Sequence, residues 1–373
     1  MSALGTNASQ LDRWLGADKT EEMSALMRDW YGPPIAVFGV PGRVEVGRGG
    51  DFRGRIHSGW HSSIYDHIEA AAKRYARKLR RELRRSQFAA GFATLDALVA
   101  AATAGQRIPF CFQKAGATGV VQVTNSLWGL GAMPPAGASG AAAPGGTPCD
   151  DTTTGACPFT NPGGTDQLHI TATFAQASVA GQTLLLYDRL FMVNKTMAST
   201  ATEAVSGVPT RYQSTTPNDP ASAEGNFLFV EVGTPALAAT AHNWTVCTYT
   251  DQSGNAGATL PSLTGNSGAI VRRLDHPVGQ WYAPLASGDT GIQKLTQMQC
   301  SASVATGVIN FVIGHPLAWM PIPLANIMTP RDHVTGIFGL ARIFNDAALA
   351  LLEVTKPATT ATNYNVYIES VFD

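Results

Sequence analysis

The sequence is short of charge. Asp, Glu, Lys and Arg together make up 14% of its 373 residues, against roughly a quarter in an ordinary globular chain. A soluble enzyme working alone wears more charge than this, so the composition favours a subunit whose surface is largely covered by neighbours. Cysteine is scarce as well. Its five positions, Cys111, Cys149, Cys157, Cys247 and Cys300, are odd in number, which argues against a complete disulfide framework. Cys149 and Cys157 bracket CDDTTTGAC; they either close a small loop as a disulfide or remain two free thiols. Cys111, Cys247 and Cys300 fall in apolar, strand-like segments and read as small buried hydrophobes.

Further absences narrow the function. The N-terminal stretch MSALGTNASQLDRWLGADKTEE has no basic region leading into an apolar one, so no secretory signal is expected. The most apolar long stretch, Val304–Met328, is interrupted by Asn310, His315, Pro316, Pro321 and Pro323, which disfavours a membrane span. No phosphate-cradling GxxxxGK[ST] occurs, and GNSGA at 265–269 lacks the spacing of a nucleophile elbow. His57, His61 and His67, with Asp66, form the one histidine cluster. Gly59 weakens the helix that would align the first two, so a polar turn is the better reading than a metal site. Asp251, Ser253 and Asn255 match the opening of a calcium-binding loop, but the twelfth position is Ser262 rather than an acid. Asp150 and Asp151 read in the same way, as tight-turn residues. Glu224, Glu231, Asp275 and Asp289 are carboxylates that a fold could pair for glycoside hydrolysis. Trp244, Trp281 and Trp319 read as core or as sugar-stacking residues. No catalytic residue, metal ligand or cofactor is assigned, and the chain is not expected to be an enzyme.

The sequence does hold one dense positive run. Lys73, Arg74, Arg77, Lys78, Arg80, Arg81, Arg84 and Arg85 place eight of the 26 basic residues in thirteen positions. Ile64, Ile68, Ala72, Tyr75, Leu79 and Leu83 recur at steps of three or four, which predicts one apolar stripe on a helix with the basic residues on its other faces. The apolar pattern continues through Phe88, Phe92, Leu95, Leu98 and Val99, and Gly105 is a reasonable stop. Residues 41–107 carry 13 basic against 6 acidic residues, a net of +7, whereas residues 108–373 carry 10 against 16, a net of -6. The basic face suits nucleic-acid phosphates, the acidic body of a neighbouring subunit, or solvent. No helix-turn-helix or zinc signature accompanies it, so sequence-specific DNA recognition is not expected.

Three regions follow. Residues 1–40 read as an N-terminal arm. Residues 41–107 read as a glycine-rich hairpin or loop followed by the long basic helix, and residues 108–373 as a β-rich domain. Strands are predicted near 119–124, 167–175, 183–193, 226–232, 243–250, 268–274, 292–301, 306–314, 337–345 and 363–371, with NDAALALLE (345–353) as a short helix. The Gly/Pro/Ala-rich segment 129–164 reads as an exposed loop or an arm that orders against a neighbour. The predicted fold class is mainly β with an N-terminal α-helical region, either β-sandwich or jelly-roll-like or a capsid-type α+β fold with an extended arm.

The stretches LLLYDRLFMVNKTMASTATEAVSGVPTRY, GNFLFVEVGTPALAATAHNW and LDHPVGQWYAPLASGDTGIQKLTQMQC, with the low charge, the long loop and the arm, resemble head proteins of tailed bacteriophages. The resemblance is one of texture over most of the chain. It implies a structural protein assembling into or onto a capsid, as a shell subunit (slightly preferred) or a cement protein. It also implies partners that are copies of itself and other capsid proteins, non-specific contact of the basic helix with packaged DNA, and no membrane. The implied location is the virion, after synthesis in the host cytoplasm. The alternatives are a glycan-binding or glycan-cleaving β-protein of a phage, and a cellular nucleic-acid-binding protein.

Overall fold

A computed structural model describes residue 92 and residues 94–117, 121–163, 166–217, 219–335, 340–355 and 360–373. The arm, the hairpin, the histidine cluster and the basic run from Lys73 to Arg85 lie outside the described residues. One helix, α1 (Leu95–Thr103), precedes the strands β1 (Arg107–Ala117), β2 (Asn125–Ser126), β3 (Ala132–Met133), β4 (Thr147–Pro148), β5 (Leu168–Ala177) and β6 (Gln182–Thr196). Then come β7 (Glu203–Ala204), β8 (Phe227–Val232), β9 (Asn243–Asp251), β10 (Ala256–Thr259), β11 (Leu263–Thr264) and β12 (Ile292–Cys300). The last are β13 (Val308–Ile322), β14 (Thr329–Asp332), β15 (Arg342–Ile343), β16 (Leu349–Thr355) and β17 (Thr362–Phe372). The fold is mainly β, built from antiparallel sheets in a sandwich-like arrangement.

The central sheet runs β2-β16-β6-β13-β8, with β4 also on β6. One flanking sheet runs β14-β5-β17-β1-β3 and the other β10-β9-β12-β7. The two 15-residue strands β6 and β13 are the spine. The ladder between them skips Leu190 on β6 and Leu317 on β13. Each bulge inverts the in-out alternation once. As a result Leu184 and Leu186 share a face with Phe191 and Val193, and Ile309, Phe311 and Ile313 share it with Ala318, Met320 and Ile322. That single face packs at one end on Phe112, Ile170 and Val366 of the first flanking sheet. At its other end it packs on Trp244, Tyr249 and Met298 of the second. Each large apolar side chain buried here contributes about 1.5–3 kcal/mol. Pro316 and Pro321 are tolerated in β13 because β8 pairs only with Ile309–Gly314, so the later half of the strand has a ladder neighbour on one side only.

The opposite face of the central sheet carries Leu185, Tyr187, Phe229, Val312 and Leu352, and among the described residues no sheet covers it. Trp128, Cys149, Ala156 and Leu274 from connecting segments do. The described part of the segment 129–164, up to residue 163, is a mostly exposed, irregular loop as read, and it is anchored at a few buried points on its own sheet. The Trp128 indole Nε1–H donates to Ala138 O at 2.9 Å, and Gly140 N–H donates to Asn310 Oδ1 at 3.1 Å. Cys149 N–H donates to Leu190 O and Cys157 N–H to Leu349 O. The Lys114 ammonium, buried and pushed down to about 8 by that burial, donates to Leu130 O and Pro134 O. The small residues serve close approach: a Cβ on Gly137 would stand 2.2 Å from the Trp128 ring.

Local differences from the sequence reading have local causes. Thr94 is extended (φ -145°) and its Oγ1 accepts from Ala97 N–H at 3.1 Å. It therefore caps α1 at its start; apart from Phe92, the earlier part of the helix expected from 64 to about 104 lies outside the described residues. Gly105, at φ 85°, ends α1 as expected. NDAALALLE is strand β16 at its Leu349–Glu353 end, not a helix. Its Ala and Leu are helix formers, but placement against β2 and β6 inside the central sheet overrides propensity. Residues 121–124 form a turn and coil instead of the strand predicted near 119–124. Residues 268–274 make only isolated bridges, such as Glu231 with Leu274. Of the segment 337–345, Arg342–Ile343 is the described strand.

Candidate functional site

Several charged residues of the body are turned inward and paired. Asp188 and Arg189 stand side by side in β6 and point to opposite faces. Arg189 is fully buried and forms a two-pronged ion pair with Glu231, whose Oε1 also accepts from Asn310 Nδ2 at 3.2 Å. The guanidinium carbon lies 4.5 Å from the centre of the Trp128 ring. Asp188 accepts from Arg211 at 2.7 and 2.9 Å and from Ala348 N–H at 2.9 Å. Burial pushes its carboxyl up, and the Arg211 hydrogen bonds oppose that. Arg211 also reaches the exposed Asp346 at 3.4 Å.

Of the four carboxylates considered for glycoside hydrolysis, Glu231 and Asp275 are engaged inside the fold. Glu231 is held by Arg189. Asp275 is fully buried and accepts from His242 Nε2 (2.9 Å), Trp244 Nε1 (2.8 Å) and Asn266 N–H (2.6 Å). The other His242 nitrogen, Nδ1, lies 2.9 Å from Thr240 O. Both ring nitrogens thus face oxygens and the ring has none left for a substrate. Burial opposes its charge, but Asp275 outweighs burial and holds the ring above its ordinary value. Glu224 is half-buried and makes an isolated bridge to Gly291, two residues along the chain from Asp289, and Asp289 accepts from Tyr249 OH at 2.5 Å.

The calcium-like loop is a turn with its own donors: the Asp251 carboxylate accepts from the backbone N–H groups of Ser253 and Asn255 and from Asn255 Nδ2. Asp150 accepts from Thr152 and Thr153 in the same manner. Among the described residues no group of three or more His, Cys, Asp and Glu side chains is placed to hold a metal. All five cysteines are free. Cys149 and Cys157 are unbonded in the structure and belong to separate cores, and burial pushes both thiols up to about 12. Cys247 and Cys300 are buried as expected, but Cys111 is exposed, because the alternation of β1 turns Phe110 and Phe112 inward.

The tryptophans divide. Trp244 is core. Trp281 is half-buried and packs edge-to-face on Trp319 (5.3 Å, 85°) and Phe227 (5.1 Å, 68°). It lines a pocket of about 430 Å³ together with Phe227, Tyr282, Pro284, Asp289 and Thr290. The sequence named Trp281 and Asp289 separately and missed Tyr282; the dipeptide WY before a proline was the available signal. A second pocket, about 250 Å³, lies between the folded-back loop and β8, lined by Trp128, Ser139, Glu231 and Arg272. No helix among the described residues is long and apolar enough to cross a membrane. No protein-family model and no curated protein matches the chain.

Proposed function

We propose that the chain is a structural protein of a bacteriophage virion head, assembling into or onto the capsid through its N-terminal region. The observation that carries this reading is the second apolar face of α1. Leu98 and Ala101 are buried on Phe92 and Val371, yet Leu95 and Val99, one turn apart, are 52% and 54% exposed. A nine-residue helix apolar on both faces is suited to a neighbour on the open side. The chain immediately before it carries the basic run from Lys73 to Arg85, a charge complement to the acidic body of another copy or to packaged DNA. Attachment onto a shell is the better-supported version, because the body from Arg107 onward is strand-built and offers no long helix among the described residues. Chemistry is not required. Glu231 and Asp275 are engaged inside the fold, and affinity would come from many copies of modest interfaces.

Sedimentation of the purified full chain tests this. A species heavier than the monomer is expected, and Leu95→Glu with Val99→Glu should shift it toward monomer without moving the thermal transition. A monomer at all concentrations, or assembly indifferent to both substitutions and to charge reversal at Arg77, Arg81 and Arg84, would overturn it.

A further inference from the structure

We propose that the pocket at Trp281 is a carbohydrate-binding site, a role separate from assembly. Its floor and wall are aromatic: Trp281 is fixed at right angles on Trp319, and Tyr282 lies beside it at 4.7 Å and is 44% exposed. Such a platform suits the apolar C–H face of a sugar ring. The rim supplies a carboxylate. Asp289 Oδ2 accepts from Tyr249 OH, while Oδ1 makes no hydrogen bond among the described residues and is available to sugar hydroxyl donors.

The loop bearing these groups is braced from behind, as a binding site requires. Ala286 N–H donates to Tyr249 OH at 2.8 Å, so one tyrosine ties the loop and aims Asp289. Gln252 Oε1 accepts from Thr290 N–H at 3.0 Å, Gly225 N–H donates to Thr290 O, and Ala283 N–H donates to Leu228 O at 2.7 Å. The volume, about 430 Å³, falls within the ~300–1,000 Å³ of small-ligand sites and exceeds what a small ammonium group fills. Asp289 is the one carboxylate in the lining, whereas glycoside hydrolysis uses a pair, so the site is assigned to binding and not to cleavage.

The test is tryptophan fluorescence and saturation-transfer NMR of the full chain with chitotetraose, cellotetraose and maltotetraose, with tetramethylammonium as the competing class. At least one tetrasaccharide should bind saturably at millimolar concentration or below. Tyr282→Ala, at an exposed position, should weaken it about tenfold, and Asp289→Asn should weaken it as well. Trp281→Ala should abolish it if that variant keeps the native thermal transition. No saturable binding of any of the three would overturn the assignment. So would binding untouched by Tyr282→Ala and Asp289→Asn, or capture of tetramethylammonium in preference to the sugars. None of these readouts depends on assembly.

Discussion

The two faces of the central sheet are covered in different ways. On one, flanking sheets meet β6 and β13 through alternating strands. On the other, irregular chain rich in Gly, Pro and Ala lies over Tyr187, Phe229 and Val312. The adjacent residues Asp188 and Arg189 sample both. Arg189, under the irregular cover, is sealed with Glu231. Asp188, toward the sheets, is paired with an arginine that also reaches the exposed Asp346. A regular cover leaves a period in the sequence. An irregular one depends on single anchors and on polar pairs that hold it in place.

The comparison can be broken most forcefully at Arg189. Arg189→Met leaves the Glu231 carboxylate buried without its countercharge and should cost about 3–5 kcal/mol in denaturant unfolding, while adding Glu231→Leu should recover most of that. If the single substitution is mild, the pair does not fasten the irregular side. Arg211→Ala should cost less, about 2 kcal/mol, because Asp188 keeps the Ala348 N–H and burial already pushes its carboxyl toward the neutral form. A cost equal to that of Arg189→Met would erase the contrast.

Acid sharpens it next. Burial holds His169 and His276 down at about 4 and His315 at about 3. These rings are neutral in the fold, while the unfolded chain protonates them near pH 6.5. Their contribution is therefore complete above about pH 6.5 and should fall by up to ~1.4 kcal/mol per pH unit for each ring as pH drops toward 4. His242 has the opposite sign: with its value raised beside Asp275, its contribution is present below about pH 6.5 and is lost as pH rises through the folded value. Unfolding midpoints across this range, repeated in His242→Asn, separate the two classes. The smallest effect is at the thiols. Cys111 alone should react promptly with a thiol reagent in the native chain, and all five should react after denaturation without reductant. Two fewer would mean that one disulfide is present, against the five free thiols of the structure.

This contrast also explains what was legible. QLHITATFA and NYNVYIESVF alternate and became β5 and β17, and NFLFVEV, apolar throughout, became β8, buried on both faces. RIPFCFQKAGA was passed over for a start near 119, since Pro109 and Gly116 disguise β1 although Phe110 and Phe112 already alternate. The segment 129–163 looked loose because Gly and Ala allow backbone to approach Trp128 and Met192, and the sequence does not show what they approach. Its anchors, Trp128, Cys149 and Cys157, were visible only as isolated residues. The pocket was half legible: Trp281 and Asp289 were each candidates, but pairing them required the turn braced by Tyr249, 40 residues away in sequence from Asp289.

The most direct measurement of the functional claim is negative-stain electron microscopy of the purified full chain, with its mass in solution by light scattering. The account predicts closed shells, curved sheets or discrete oligomers that add to a pre-existing shell. A monodisperse monomer at all concentrations would contradict it.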